Sequence, residues 1–230
     1  MRNGVLAFIL ATGLAGCGGG SSYTAPTPTP TPTPTPQNRS PAITTLSVSP
    51  AFGIQQLTSF SAQAAATDQD SDPLTYEWDF GDSATGAGAA VSHAFTTGGP
   101  FTVKVTVKDG NGGSVSDSRS VLVGSMTGRW NVDIPTFVPL QLDLQQDNGV
   151  VTGTFLQLQN GPSTPKGTTG KTDPAEPGKI DANGKVEIRF KVGIFLDFYL
   201  RGTMDQTGKK ITGGVFGSGF GGNDFTAVKQ

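Results

Sequence analysis

The 230-residue chain has a single cysteine, a single histidine and no stretch of Ala, Leu, Glu and Lys at helical spacing. With Cys17 alone, no intramolecular disulfide can form, so each folded segment must be held by its apolar core. One histidine and one cysteine also leave no His/Cys cluster for a metal. Charge of one sign is equally scarce. Lys and Arg number 16 against 18 Asp and Glu, and no basic run is interleaved with aromatic residues, which argues against a nucleic-acid partner. No apolar run reaches the roughly 20 residues a membrane-spanning helix needs. What abounds is turn and strand chemistry: 33 Gly and 16 Pro among many Thr, Ser and Val predict an all-β chain of short strands and tight turns.

The first 20 residues, MRNGVLAFILATGLAGCGGG, place Arg2 before an apolar stretch from Gly4 to Ala15 and end on small residues, the pattern of an export signal over residues 1–16. Leu14-Ala15-Gly16-Cys17 resembles the bacterial lipobox, which implies cleavage before Cys17 and acylation of that residue, palmitate included. Several acyl chains on one residue anchor a protein stably to a membrane, whereas one does not. Gly18 in place of aspartate implies, by the same resemblance, the outer membrane or cell surface of a bacterium. The rest of residues 17–40 is a Gly/Ser piece followed by a Thr-Pro repeat. Alternating prolines favour an extended polyproline II rod, so this reads as a stalk with a reach of roughly 60 Å at ~3.1 Å per residue.

Residues 41–123 alternate apolar and polar side chains in runs near 43–48, 58–66, 74–80, 101–107 and 114–123. Phe101, Val103, Val105 and Val107 share one face, Thr102, Lys104, Thr106 and Lys108 the other, and Asp109-Gly110-Asn111-Gly112 returns the chain as a hairpin. The expectation is an antiparallel β-sandwich. The segments ATDQDSDPLTYEWDFGD, VSHAF and GGPFTVKVTVKDGNG, in that order, resemble the immunoglobulin-like domain of the polycystic-kidney-disease (PKD) type. Pro100-Phe101 departs from that family, which usually has one residue and a tyrosine there. The tripeptide Asp79-Phe80-Gly81 also occurs in protein kinases, but no Gly-rich nucleotide loop and no His-Arg-Asp loop accompany it. Trp78 and Phe80 are therefore expected in the core, Gly81 in a turn, Asp79 and Asp82 on local amides, and His93 in a structural hydrogen bond. Asp68, Asp70 and Asp72 offer hard oxygen ligands in one loop. The glycine and glutamate of an EF-hand are missing, so the loop reads either as a calcium site or as a solvated acidic turn.

Residues 125–230 read as seven or eight further strands. Leu140, Leu142 and Leu144 alternate with polar neighbours before an Asn148-Gly149 turn, and Val186, Ile188, Phe190 and Val192 oppose Glu187, Arg189 and Lys191. Strands in up-and-down order best hide their edges by closing, so a small antiparallel β-barrel is expected. Gly128-Arg129-Trp130, with VTGTF and ITGGVF further on, resembles lipocalin- and avidin-type barrels, in which the tryptophan plugs one end. Such a barrel either fills with its own side chains or encloses one small ligand. In the second case Trp130, Leu142, Phe155, Phe190, Phe198 and Phe216 would line it. Asp197, Tyr199 and Arg201 are expected to pair across strands with Glu187, Arg189 and Lys191 on the outside. The short link at Gly124-Ser125 permits bending between the domains.

With no catalytic constellation in view, the chain reads as a monomeric, noncatalytic lipoprotein for interaction, adhesion or display, with a protein or polysaccharide partner. Two alternatives stay open: a tethered carrier of a small apolar ligand, and a carbohydrate-active or cell-wall accessory protein, since a hydrolase using carboxylates alone needs neither His nor Cys. No cofactor is required, calcium being the one candidate.

Overall fold

The computed structural model describes residues 37–135, 137–161, 166–192, 196–217 and 219–230. The signal segment, Cys17 and most of the Thr-Pro stalk lie outside these residues. Among the described residues there is no helix. Residues 37–230 form one compact unit, in which two β domains follow each other.

The first domain holds β1 (Ala42–Ser49), β2 (Phe52–Ile54), β3 (Phe60–Thr67), β4 (Thr75–Asp79), β5 (Thr85–Ala87), β6 (Ala90–His93), β7 (Gly99–Lys108) and β8 (Ser114–Gly124). Two sheets, β1-β3-β6 and β2-β8-β7-β4-β5, make the sandwich. Its core is the inward half of each alternating run: Phe60, Ala62 and Ala64 from one sheet meet Trp78, Val103, Val105, Val107 and Val121 from the other. At the β7–β8 hairpin the Asp109 carboxylate accepts the amides of Asn111 and Gly113, so the expected turn is closed by its own first residue.

The second domain holds β9 (Gly128–Asp133), β10 (Leu140–Asp147), β11 (Val150–Gln157), β12 (Thr169–Thr172), β13 (Gly178–Ile180), β14 (Lys185–Val192), β15 (Leu196–Met204), β16 (Lys210–Gly217) and β17 (Phe220–Lys229). β9 pairs with both β10 and β17, so the circuit closes. β12 and β13 each bridge β11 and β14 and share one position, which makes an eight-position antiparallel barrel. The shared position is split at Asp173-Pro174-Ala175-Glu176-Pro177, where two prolines withhold ladder amides. Asn148 (φ 46°) and Gly149 (φ 79°) both take positive φ, which a two-residue hairpin turn demands. On the wall, Gly202 lets strands approach: a Cβ there would lie 2.5 Å from the Thr212 carbonyl oxygen.

The two domains are joined by more than the chain. β2 pairs in parallel with β8, and its last residue, Ile54, joins the barrel's core cluster, with Phe52 and Leu57 packed against that cluster. Gln146, inward on β10 and 6 % exposed, accepts the Met126 amide (2.8 Å) and donates to the Gln55 carbonyl (3.1 Å). Gln56 donates to Asp147 and accepts the Asn148 amide. The Gly124-Ser125 link is packed rather than free to bend. A Cβ on Gly124 would come within 2.7 Å of the Met204 sulfur and 3.0 Å of the Phe52 ring.

Candidate functional site

The densest motif, Tyr76 to Ser83, is structural in every side chain that can be traced. Trp78 is 2 % exposed and donates from Nε1 to the Gly88 carbonyl at 2.8 Å. Asp79 accepts the Gly81 amide and Asp82 the Ala84 amide, which shapes the turn that Gly81 enters at φ 81°. His93 meets Asp82 through Nε2 at 2.7 Å and stacks on Phe80, ring centroids 4.3 Å apart, with the edge of Phe95 at 4.7 Å. Burial alone would raise the Asp82 pKa. The hydrogen bond from His93, the Ala84 amide and the nearby charge of His93 outweigh it and hold the carboxyl below the usual range. Asp82 is thus an acceptor that fixes the ring.

Ahead of this turn, carboxylate oxygens of Asp68, Asp70 and Asp72 lie within 4.8 Å of one another. Asp68 Oδ1 accepts the amides of Asp70 (2.7 Å) and Asp72 (3.4 Å), while its Oδ2 is buried without a hydrogen-bond partner. Asp70 also accepts the Arg39 amide at 2.7 Å and has its guanidinium at 4.0 Å. A buried carboxylate oxygen with no donor is costly unless something positive faces it. The donor set and that orphan oxygen fit a hard divalent cation.

The barrel brings together five of its six candidate lining residues. Trp130, Leu142, Phe155, Phe190 and Phe198 are all 7 % exposed or less and belong to one cluster. Phe155, Phe190 and Phe198 touch ring to ring at 5.2–5.5 Å, and Phe220 continues the chain of rings towards Phe137. Trp130 sits near the end facing the sandwich, its Nε1 donating to the Met126 carbonyl at 2.8 Å. Phe216 corrects the expectation. Ile211 and Val215 take inward positions on β16, whose register with β15 is unbroken, so Phe216 faces outward, 38 % exposed. Adjacent residues of a strand point to opposite faces, so Val215 and Phe216 cannot both line the barrel.

The outer wall carries the expected cross-strand pairs in register, Glu187 with Arg201, Arg189 with Tyr199 and Lys191 with Asp197. Arg189 forms ion pairs with Glu176, Asp197 (2.5 Å) and Asp173 (3.5 Å), and those to Asp197 and Glu176 raise its pKa. Asp173 itself had no sequence signal beyond its position between Thr and Pro. It is 2 % exposed, pairs with Lys191 at 2.8 Å, and is held below the usual carboxylate range chiefly by that bond and by the Ala175 amide. This network fastens the loop that splits the fourth barrel position.

Comparison with known proteins bears on the first domain. Residues 38–123 match the family model of the PKD domain. A 56-residue stretch, 24 % of the chain, is 39 % identical to collagenase ColA of Clostridium perfringens, and this stretch spans 5 % of the collagenase. The crystal structure of the PKD1 domain of Vibrio anguillarum Epp matches over 38 % of this chain and 96 % of its own, with 28 % identity and a TM-score of 0.32. A carbohydrate-binding module of the β-sandwich superfamily, described for promiscuous specificity, matches over 78 % of this chain and 61 % of its own, with 16 % identity and a TM-score of 0.36.

Proposed function

Residues 38–123 are a PKD domain, and from that premise we propose that the chain is an exported, membrane-tethered interaction module that does no chemistry of its own. The observation that carries this reading is the PKD match together with the use made of the only histidine, whose ring is spent on Asp82, Phe80 and Phe95. The ring-to-ring packing of Phe155, Phe190 and Phe198 weighs against a ligand carrier and leaves recognition to outer surfaces. Anchoring through an acylated Cys17 and the Thr-Pro stalk would hold those surfaces away from the membrane. Two tests address the two parts. The chain is expected in the membrane fraction, and Cys17→Ser is expected to release it to the soluble fraction. An unchanged distribution would sink the anchor. Turnover of a substrate, abolished by changing one acid of the barrel, would sink the noncatalytic reading.

We also propose that Asp68, Asp70 and Asp72 hold calcium, which would supply positive charge to the orphaned Asp68 Oδ2 and tie the loop beside Arg39. Millimolar calcium is then expected to raise the melting temperature by about 2–4 °C, through binding to the folded state only. Asp68→Asn should remove the rise. No rise, or the same rise in the variant, would leave the loop as an acidic turn.

A further inference from the structure

The outer wall of β13 to β16 combines three features that its own stability does not require together. The first is an aromatic strip. Tyr199 and Phe216 are direct cross-strand neighbours, and Phe216 lies over a floor of glycine: a Cβ on Gly214 or Gly222 would sit 2.9 or 3.1 Å from its ring carbons. Arg189 and Arg201 flank Tyr199 at 5.3 and 5.4 Å from its centroid, and Arg201 also lies 5.7 Å from the centre of Phe216. Rings braced in this way are held flat and rigid while part of their surface meets water.

The second feature is a cleft of about 290 Å³ running up to that strip, lined among others by Glu176, Lys179, Glu187, Arg189 and Tyr199. The third is unspent positive charge. Arg189, Lys191 and Arg201 are neutralised by carboxylates, but Lys171, Lys179 and Lys185, at neighbouring positions of the same wall, have no carboxylate within 4.0 Å among the described residues. The sandwich is the opposite: residues 41–123 hold Asp68, Asp70, Asp72, Glu77, Asp79, Asp82, Asp109 and Asp117 against only Lys104, Lys108 and Arg119. The barrel wall is therefore where a negatively charged partner meets least repulsion.

We propose that this wall binds an acidic polysaccharide, with Tyr199 and Phe216 stacking on pyranose faces and Lys171, Lys179 and Lys185 meeting its spaced carboxylates. The inference rests on the reading of the chain as an interaction module and names the class of partner. The acids on the wall decide between polyanions. Glu187, Asp197 and Glu176 stand among the cations, where they would repel a nucleic acid carrying one charge per ~1.7 Å of duplex. Towards a polymer of sparse charge and many hydroxyls they act as acceptors, and their pairs with Arg201 and Arg189 hold them in place.

The test is affinity electrophoresis of the full chain in nonionic detergent, through gels containing polygalacturonate, alginate, neutral dextran or single-stranded DNA. Retardation by at least one of the two acidic glycans and none by dextran is expected. Lys179→Ala/Lys185→Ala changes only exposed, unpaired side chains, and this double variant and Tyr199→Ala/Phe216→Ala are each expected to weaken the binding about tenfold. Leu156→Ala, an exposed apolar change on β11, should leave it unaltered. No retardation by either acidic glycan, equal retardation by dextran, or binding indifferent to both double variants overturns the proposal. Retardation by DNA through the same residues overturns it in favour of nucleic acid. Membrane fractionation of the same variants reads the anchoring separately, so that either conclusion can fail alone.

Discussion

Replacing Trp130 by alanine is expected to lower the unfolding free energy by about 3–5 kcal/mol, the range for deleting a fully buried large aromatic side chain. Trp130 is completely buried, its Nε1 satisfies the Met126 carbonyl, and Lys229 lies 5.6 Å from the ring centre. Truncation removes the ring's contacts and also leaves a buried carbonyl without its donor, so collapse of the neighbours can recover only part of the loss. Lys229 is held below its usual pKa by burial, and its Nζ still has the Ser125 carbonyl at 2.8 Å, so the cation does not become an orphan. Denaturant titration followed by circular dichroism measures the change. The chain has two tryptophans, so in the variant the fluorescence of Trp78 alone reports the sandwich. A loss below about 1 kcal/mol, the ordinary scale of a surface substitution, would contradict the placement of Trp130 in the barrel core.

Gln146→Leu is expected to cost about 2–4 kcal/mol, because two buried backbone groups, the Met126 amide and the Gln55 carbonyl, lose their partners while the volume is roughly kept. The effect should reach beyond stability. Gln146 belongs to the barrel and Gln55 directly follows Ile54, the sandwich residue that joins the barrel core, so the bond is expected to couple the unfolding of the two domains. Calorimetry of the parent is expected to show one transition over residues 37–230, and the variant two, as the domains uncouple. A single transition within about 0.5 kcal/mol of the parent would mean that the bridge contributes nothing to coupling. The leucine variant is the informative one, since a hydrophobic residue restores the regular apolar alternation of β10 and would be stabilising if the barrel were independent.

Much of the fold could be read in advance, for a local reason. Period-two alternation states which side chains point inward, and Val103, Val105, Val107, Leu140, Leu142, Leu144, Val186, Ile188 and Phe190 all do. Turn chemistry at Asp109-Gly110 and Asn148-Gly149 placed the hairpins, and the opposed charges of β14 and β15 fixed their cross-strand pairs. The failures have two causes. Phe216 follows inward Val215 on an unbroken strand, so alternation already turned it outward, and the expectation put its aromatic character before its position. Asp173 becomes buried because Arg189 and Lys191 arrive from another strand.

The sequence by itself determined that this is an all-β chain, where its strands turn, which faces are apolar, and that its only histidine belongs to a PKD-type core, because each of these follows from contacts among residues near in sequence or from a long ordered motif. Only the tertiary structure decided that the two domains share a packed junction, that Gln146 is the polar residue bridging it, and that Tyr199, Phe216 and three unpaired lysines come to lie on one wall. Those outcomes depend on which surfaces meet after the strands close, and side-chain alternation is silent about contacts made between residues ninety positions apart.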